Sequence, residues 1–229
     1  MNKDGYPGSF EKIIKNVTGF NTSYNAECWF LFPYVLLTFI SPYLFKCLDQ
    51  CPKTTLLVLF PIDILTMFII SRYGQQYLFK NMWLYNPILV VHLSFNFILG
   101  ATIIKYWYYT DKIIKGLSKY GYLNWILLLA LFIIRCIIAT GAVTSFYVLL
   151  FVIIFLSAPR WKWVNALLAH LGDHSMTMWF IHTWFCTYLF HDYIYSFTYP
   201  PLIFLVLLIL TYISSHIVKA IAAPIVKRI

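Results

Sequence analysis

Charge is what this chain has least of. Only 11% of its 229 residues are Asp, Glu, Lys or Arg, and 61% are hydrophobic, whereas about a quarter of a soluble globular domain is charged. This shortage excludes a disordered chain and a nucleic-acid-binding module, which both depend on dense charge. Cysteine is scarce too. The five present (Cys28, Cys47, Cys51, Cys136 and Cys186) form no C-x-x-C pair and are too few for a disulfide-stapled secreted domain. All but Cys51 sit in or beside apolar runs, so they are expected to serve as packing residues. Acid is outnumbered by base, 8 residues against 17. That imbalance fits basic loops beside membrane spans and says nothing about a substrate.

What is abundant is apolar sequence in long runs, with a mean hydropathy of +0.75. A membrane span needs about 20 such residues, and by that measure seven runs qualify: 29–48, 55–71, 84–104, 122–140, 142–158, 176–195 and 201–222. The fold class read from them is all-α, a polytopic transmembrane helical bundle of about seven spans. Tyr and Trp crowd the run ends, at Trp83 and Tyr85, Tyr106 to Tyr109, Tyr120 to Trp125, Trp161 and Trp163, and Tyr193 to Tyr199, as in interfacial aromatic belts. Pro33, Pro42 and Pro61 fall inside spans and predict kinks. The stretch from Arg160 to His170 reads as a short helix lying along the cytoplasmic surface.

Basic residues set the orientation. Loops on the N-terminal side hold Lys3, Lys12, Lys15, Arg72 and Lys80. The opposite side holds Lys46, Lys53, Lys105, Lys112, Lys115, Lys119, Arg160, Lys162, Lys219, Lys227 and Arg228. The positive-inside rule then puts the C-terminus in the cytoplasm and residues 1–27 outside, although that segment has no signal-peptide core. The expected organisation is a polar extracytoplasmic segment (1–27), a transmembrane domain (28–224) and a cytoplasmic tail (225–229). A start outside without an export signal points to spans upstream of Met1. Two N-x-S/T matches, at Asn16 and Asn21, would matter only in a eukaryotic secretory setting.

Ionisable groups at membrane depth are costly and mark candidate sites. Asp63, His92, Arg135 and His182 qualify, with Glu27 at the mouth of the first run. A carboxylate or histidine there can anchor a hydroxyl or take its proton. The plainer reading is structural: Asp63 pairs with Arg135 across helices, and each histidine donates to a backbone carbonyl. A metal is not expected, because His170 and His174 at i, i+4 lack the Glu of an H-E-x-x-H pattern and further ligands. Ser175, His182 and Asp192 make a triad only on paper, since Ser175 lacks a G-x-S-x-G elbow. Its expected role is N-cap of the sixth span. Ser175, Trp179, His182 and Cys186 step by four, three and four residues, so they share one helix face, which should look onto protein or a cavity.

The segment Leu171-Gly172-Asp173-His174-Ser175-Met176-Thr177-Met178-Trp179-Phe180-Ile181-His182-Thr183 resembles the Gly-x-His-Ser-Met-x-x-Trp-x-x-His signature of the acyltransferase-3 family, bacterial multi-span O-acyltransferases of surface glycans. Tyr24 to Tyr34, with Ser41-Pro42, is similar to the family segment that opens a central span. Phe97 to Ala101, followed by Lys105, is similar to a span whose glycine precedes a cytoplasmic basic residue. The resemblance covers residues 20–224 and corresponds to the later part of the family fold, without its first three spans.

The family resemblance implies transfer of an acyl group, acetyl above all, from acetyl-CoA in the cytoplasm to a hydroxyl of a cell-envelope glycan or lipid-linked sugar. It implies a bacterial inner or plasma membrane location and no bound cofactor. The family's catalytic histidine lies upstream of this sequence, so the catalytic residue is unknown. Glu27, Trp29, Ser175, Trp179 and His182 carry over as pocket or supporting residues, and Asp63, His92 and Arg135 are weaker candidates. Two rivals stand beside this reading: a transporter or flippase of a polar lipid-linked sugar, for which paired broken spans are the expected sign, and an inactive truncated form. Partners are membrane lipid and the glycan acceptor, with no nucleic acid.

Overall fold

The computed structural model describes residues 7–138 and 140–226. They form ten α-helices and no strand: α1 (Phe10–Val17), α2 (Leu31–Gln50), α3 (Pro52–Tyr73), α4 (Met82–Lys105), α5 (Trp107–Ser118), α6 (Leu123–Ile137), α7 (Thr144–Ser157), α8 (Lys162–Trp184), α9 (His191–Ser196) and α10 (Pro200–Val226). The surface is inverted relative to a soluble protein. Phe39, Leu57 and Ile137 are each about three-quarters exposed, while Asp63, Asn86, Asn124, Ser157, His174 and Ser215 are buried. Only lipid makes that arrangement favourable, because apolar side chains gain nothing by burial there and unpaired polar groups must turn inward. The chain is an all-α membrane protein.

Among the described residues, four helical stretches are long and apolar enough to cross a membrane: Ala26–Gln50, Pro52–Tyr73, Met82–Lys105 and Pro200–Pro224. The pair α5 and α6, bent by 107°, makes a fifth if counted as one. Seven runs had the composition of spans, and the difference has a geometric cause. The 15 residues of α6 and 14 of α7 reach only about 22 Å at 1.5 Å per residue, short of a hydrocarbon core of about 30 Å. The sixth run, 176–195, is not one helix: α8 ends at Trp184, a π-helical turn follows over Phe185–Leu189, and α9 begins at His191. The expected surface helix at 160–170 is instead the first half of α8. Ser175 therefore sits in a helix interior rather than at an N-cap, and its hydroxyl donates to Gly172 O at 2.7 Å.

The chain divides into two compact units. The first comprises Met1–Phe30 with Arg160–Ile229, which groups the N-terminal segment with α8 to α10. Of the expected tail 225–229, residues 227–229 lie outside the described residues. In this unit α8 packs along α10. The short α1 is capped by Ser9, whose side chain accepts from Lys12 N, and the Asn16 side chain accepts from Tyr24 N at 2.9 Å.

The second unit is Leu31–Pro159. Here α4 packs against both α2 and α3 and buries Leu89, Phe95 and Ile98. Pro42 interrupts α2 without breaking it. Its missing N–H would have bonded Thr38 O, and the Ser41 hydroxyl donates to that carbonyl instead, at 2.7 Å. The turn from α5 to α6 needs Gly121, whose φ of +53° disfavours a β-carbon. Asn124 then locks the bend, its amide donating to Leu117 O at 3.0 Å and Ser157 O at 3.2 Å. No cysteine is buried, and Cys47, Cys51 and Cys136 are exposed. The expected packing role fails because a thiol is apolar enough to face lipid.

Candidate functional site

The face predicted on α8 is real. Ser175, Trp179 and His182 look onto one groove between α8 and α10, with Leu171, Leu207 and Thr211 among its other walls. The groove has a volume of about 470 Å³, within the range of small-molecule pockets. Its lining is almost wholly carbon, so an acyl chain or lipid tail fits it chemically better than a sugar ring. The fourth residue of the expected stripe, Cys186, has passed into the π-helical turn and is not among the lining residues.

His182 stands at one end of this groove. Its Nδ1 lies 2.5 Å from Trp179 O. A carbonyl can only accept, so Nδ1 carries the proton in this contact and a neutral ring leaves Nε2 as the basic nitrogen. Nε2 is 4.0 Å from Glu27 Oε1, too far for a hydrogen bond and close enough for charge to matter. Glu27 is held once at its carboxylate and once at its backbone. The Thr183 hydroxyl donates to Glu27 Oε1 at 3.1 Å, and Glu27 N donates to Asn25 Oδ1 at 3.1 Å. Asn25 in turn donates through Nδ2 to Phe180 O at 2.7 Å, and Phe30 stacks on Phe180 with centroids 5.5 Å apart. The turn Ala26–Phe30 is thereby fastened to α8 beside His182.

Trp29 belongs to that turn but points elsewhere: it is 39% exposed and meets the edge of Phe30. Of the five residues singled out by resemblance, four thus converge on one place and Trp29 does not. Asn25 and Thr183 were missed, since hydrogen-bonding partners 155 and 156 residues apart leave no local trace.

The weaker candidates lie in the other unit. Asp63 does not pair with Arg135. Its Oδ1 is 2.9 Å from His92 Nδ1, with the carboxylate buried, although the two atoms are not aligned as a hydrogen bond. His92 therefore faces a carboxylate rather than the backbone carbonyl expected. Arg135, in the last turn of α6, donates to Ile138 O at 2.6 Å and closes the helix end. Asp192 pairs with His191 at 3.0 Å, so the paper triad is not assembled.

A second cluster occurs on α8 and α10. His170, His174 and His216 offer ring nitrogens that all lie within 4.8 Å of one another. Burial first, and then the charge of Lys219, holds the His174 imidazole below its ordinary value, which favours the neutral ring. The sequence showed the pair at 170 and 174; the third member, 42 residues beyond His174, gave no signal.

Compared with known proteins, the chain matches no protein-family model, no curated protein and no solved structure.

Proposed function

We propose that this chain is a membrane O-acyltransferase, or the part of one that holds the acceptor. It would move an acetyl or other acyl group from acetyl-CoA to a hydroxyl of a lipid-linked sugar or cell-surface glycan. The observation that carries the reading is the Glu27–His182 arrangement at the end of an apolar groove. Transfer to a hydroxyl requires that its proton be accepted as the oxygen attacks the thioester carbonyl. An imidazole with Nδ1 held by a carbonyl presents Nε2 for that proton, and a carboxylate 4.0 Å away stabilises the imidazolium that would form. The carbon-lined groove suits the lipid portion of a lipid-linked acceptor, and Ser175 and Thr211 offer hydroxyls to orient its polar end. The basic-residue count supports a cytoplasmic C-terminus, and the resemblance supports a bacterial cell membrane.

The test is transfer of labelled acetyl from acetyl-CoA to lipid-linked sugar by the purified chain in nanodiscs. Transfer cut by about 100-fold or more in His182→Ala, with the acidic limb lost from the pH profile of the residual activity, would assign the base to His182. Transfer that appears only with a co-expressed preceding span places the base there and leaves Glu27 and His182 as acceptor-holding groups. No transfer in either case overturns the proposal. Flipping of the labelled sugar lipid without acyl donor would favour the transporter reading.

A further inference from the structure

The histidine cluster on α8 and α10 stands apart from the groove chemistry. His174 and His182 are eight residues apart on α8, or about 12 Å along the helix axis. His170 and His174 are one helical turn apart, so both rings project from the same face. α10 packs against that helix and delivers His216, whose ring centroid is 4.1 Å from that of His174 and 6.1 Å from that of His170. Three imidazoles in van der Waals contact are a poor way to fill a helix interface, because each brings a nitrogen that needs a partner.

The partners present account for two of those nitrogens. His174 Nδ1 is 2.8 Å from the Ser215 hydroxyl, a contact of the kind that fixes ring orientation in metal-bound histidines and leaves Nε2 for the ion. His170 Nε2 meets the Tyr212 hydroxyl. The Ser215 hydroxyl also reaches Tyr212 O at 2.6 Å, so the support is anchored to the α10 backbone. His174 is 6% exposed, while His170 and His216 are exposed and retain room to move.

We propose that His170, His174 and His216 form a binding site for a divalent transition-metal ion of the zinc class, with Tyr212 or water at the fourth position. Three nitrogens and one open position are a known zinc arrangement, and imidazole selects zinc, copper or nickel over magnesium or calcium. At Zn–N distances of about 2.05 Å a tetrahedral ion needs ligand atoms about 3.4 Å apart. The nitrogens here lie within 4.8 Å, a gap that small rotations of the two exposed rings can close. The expectation of no metal rested on the want of further ligands near 170–174, and α10 supplies one. The charges facing the site are opposed. Lys219 acts against a cation at His174, and Asp173 acts for it. Lys219 is partly occupied, donating to Asp173 O. Because α8 and α10 also wall the groove, the ion would pin the two helices at one end of it.

The experiment uses the tag-free full chain in nanodiscs, stripped with chelator and titrated with Zn²⁺ or Co²⁺ alone. The expected result is one ion per chain, a tetrahedral Co²⁺ visible spectrum, and a Tm that rises on loading. His216→Ala and His170→Ala should each weaken binding by more than about 100-fold, since even supporting residues cost 10–100-fold. His216→Cys should restore much of it, because thiolate also ligates zinc. Lys219→Gln should tighten it. Failure of the wild-type chain to bind one ion overturns the proposal. So does binding unchanged in the His170→Ala/His216→Ala double variant, whose folding is checked by its chelator-treated Tm.

Discussion

The molecule carries the same two residue types, a carboxylate and a histidine, in two settings. In the second unit Asp63 is buried at 2.9 Å from His92, on two helices long and apolar enough to cross a membrane. In the first unit Glu27 and His182 stand 4.0 Å apart, both part-exposed, at the end of an open groove. The close pair leaves no room between its members, and its chief work is to make a costly burial tolerable. In the open pair the Thr183 hydroxyl bridges the two members, 3.1 Å from Glu27 Oε1 and 3.5 Å from His182 Nε2, and because His182 lines the groove a third group can approach beside it. Proximity to a partner thus argues for structure, and a held separation argues for chemistry.

The largest effect that would sharpen this contrast is on the closed pair. Asp63→Ala should destabilise the chain by about 3–5 kcal/mol by leaving His92 beside an empty site, whereas Asp63→Leu/His92→Phe should be close to neutral. Reversible unfolding in detergent measures both, and equal losses would show that the pair has some role beyond mutual compensation. Next comes His182→Ala, which should cut acyl transfer by about 100-fold or more while shifting unfolding by no more than about 1 kcal/mol. If the stability change exceeds the activity change, the open pair is structural after all. Asn124→Ala removes the donor to one buried and one part-buried carbonyl and should cost about 2 kcal/mol, read by the same unfolding assay. The smallest effect belongs to Thr183→Val, which frees Glu27 Oε1 of its hydroxyl donor at about 1 kcal/mol. Its mark should be a weaker dependence of transfer rate on Glu27→Gln in a double-mutant cycle.

Much of the architecture was legible because lipid imposes a simple rule on composition. The runs at 29–48, 55–71, 84–104 and 201–222 fall within the four spans at Ala26–Gln50, Pro52–Tyr73, Met82–Lys105 and Pro200–Pro224. Apolarity reports partitioning, however, and is blind to where a helix breaks. The run 176–195 is apolar across a π-helical turn and across Phe190, whose φ of −132° and ψ of 27° leave the helical region. Conversely, α8 begins at Lys162 through residues too polar to resemble a span. The site was legible where spacing carries it. Ser175, Trp179 and His182 share a face by periodicity alone. Glu27 was reached as an ionisable group at the mouth of an apolar run and again through resemblance, whereas Asn25, Thr183 and His216 were not reached, because each acts across a fold-level distance that no local pattern encodes.

The shortness of α6 and α7 has its own consequence. Two packed helices of about 22 Å cannot match a hydrocarbon slab of about 30 Å without drawing the leaflets together around them or letting water in at their ends. A bilayer that thinned to fit this hairpin would offer polar solutes their lowest barrier there.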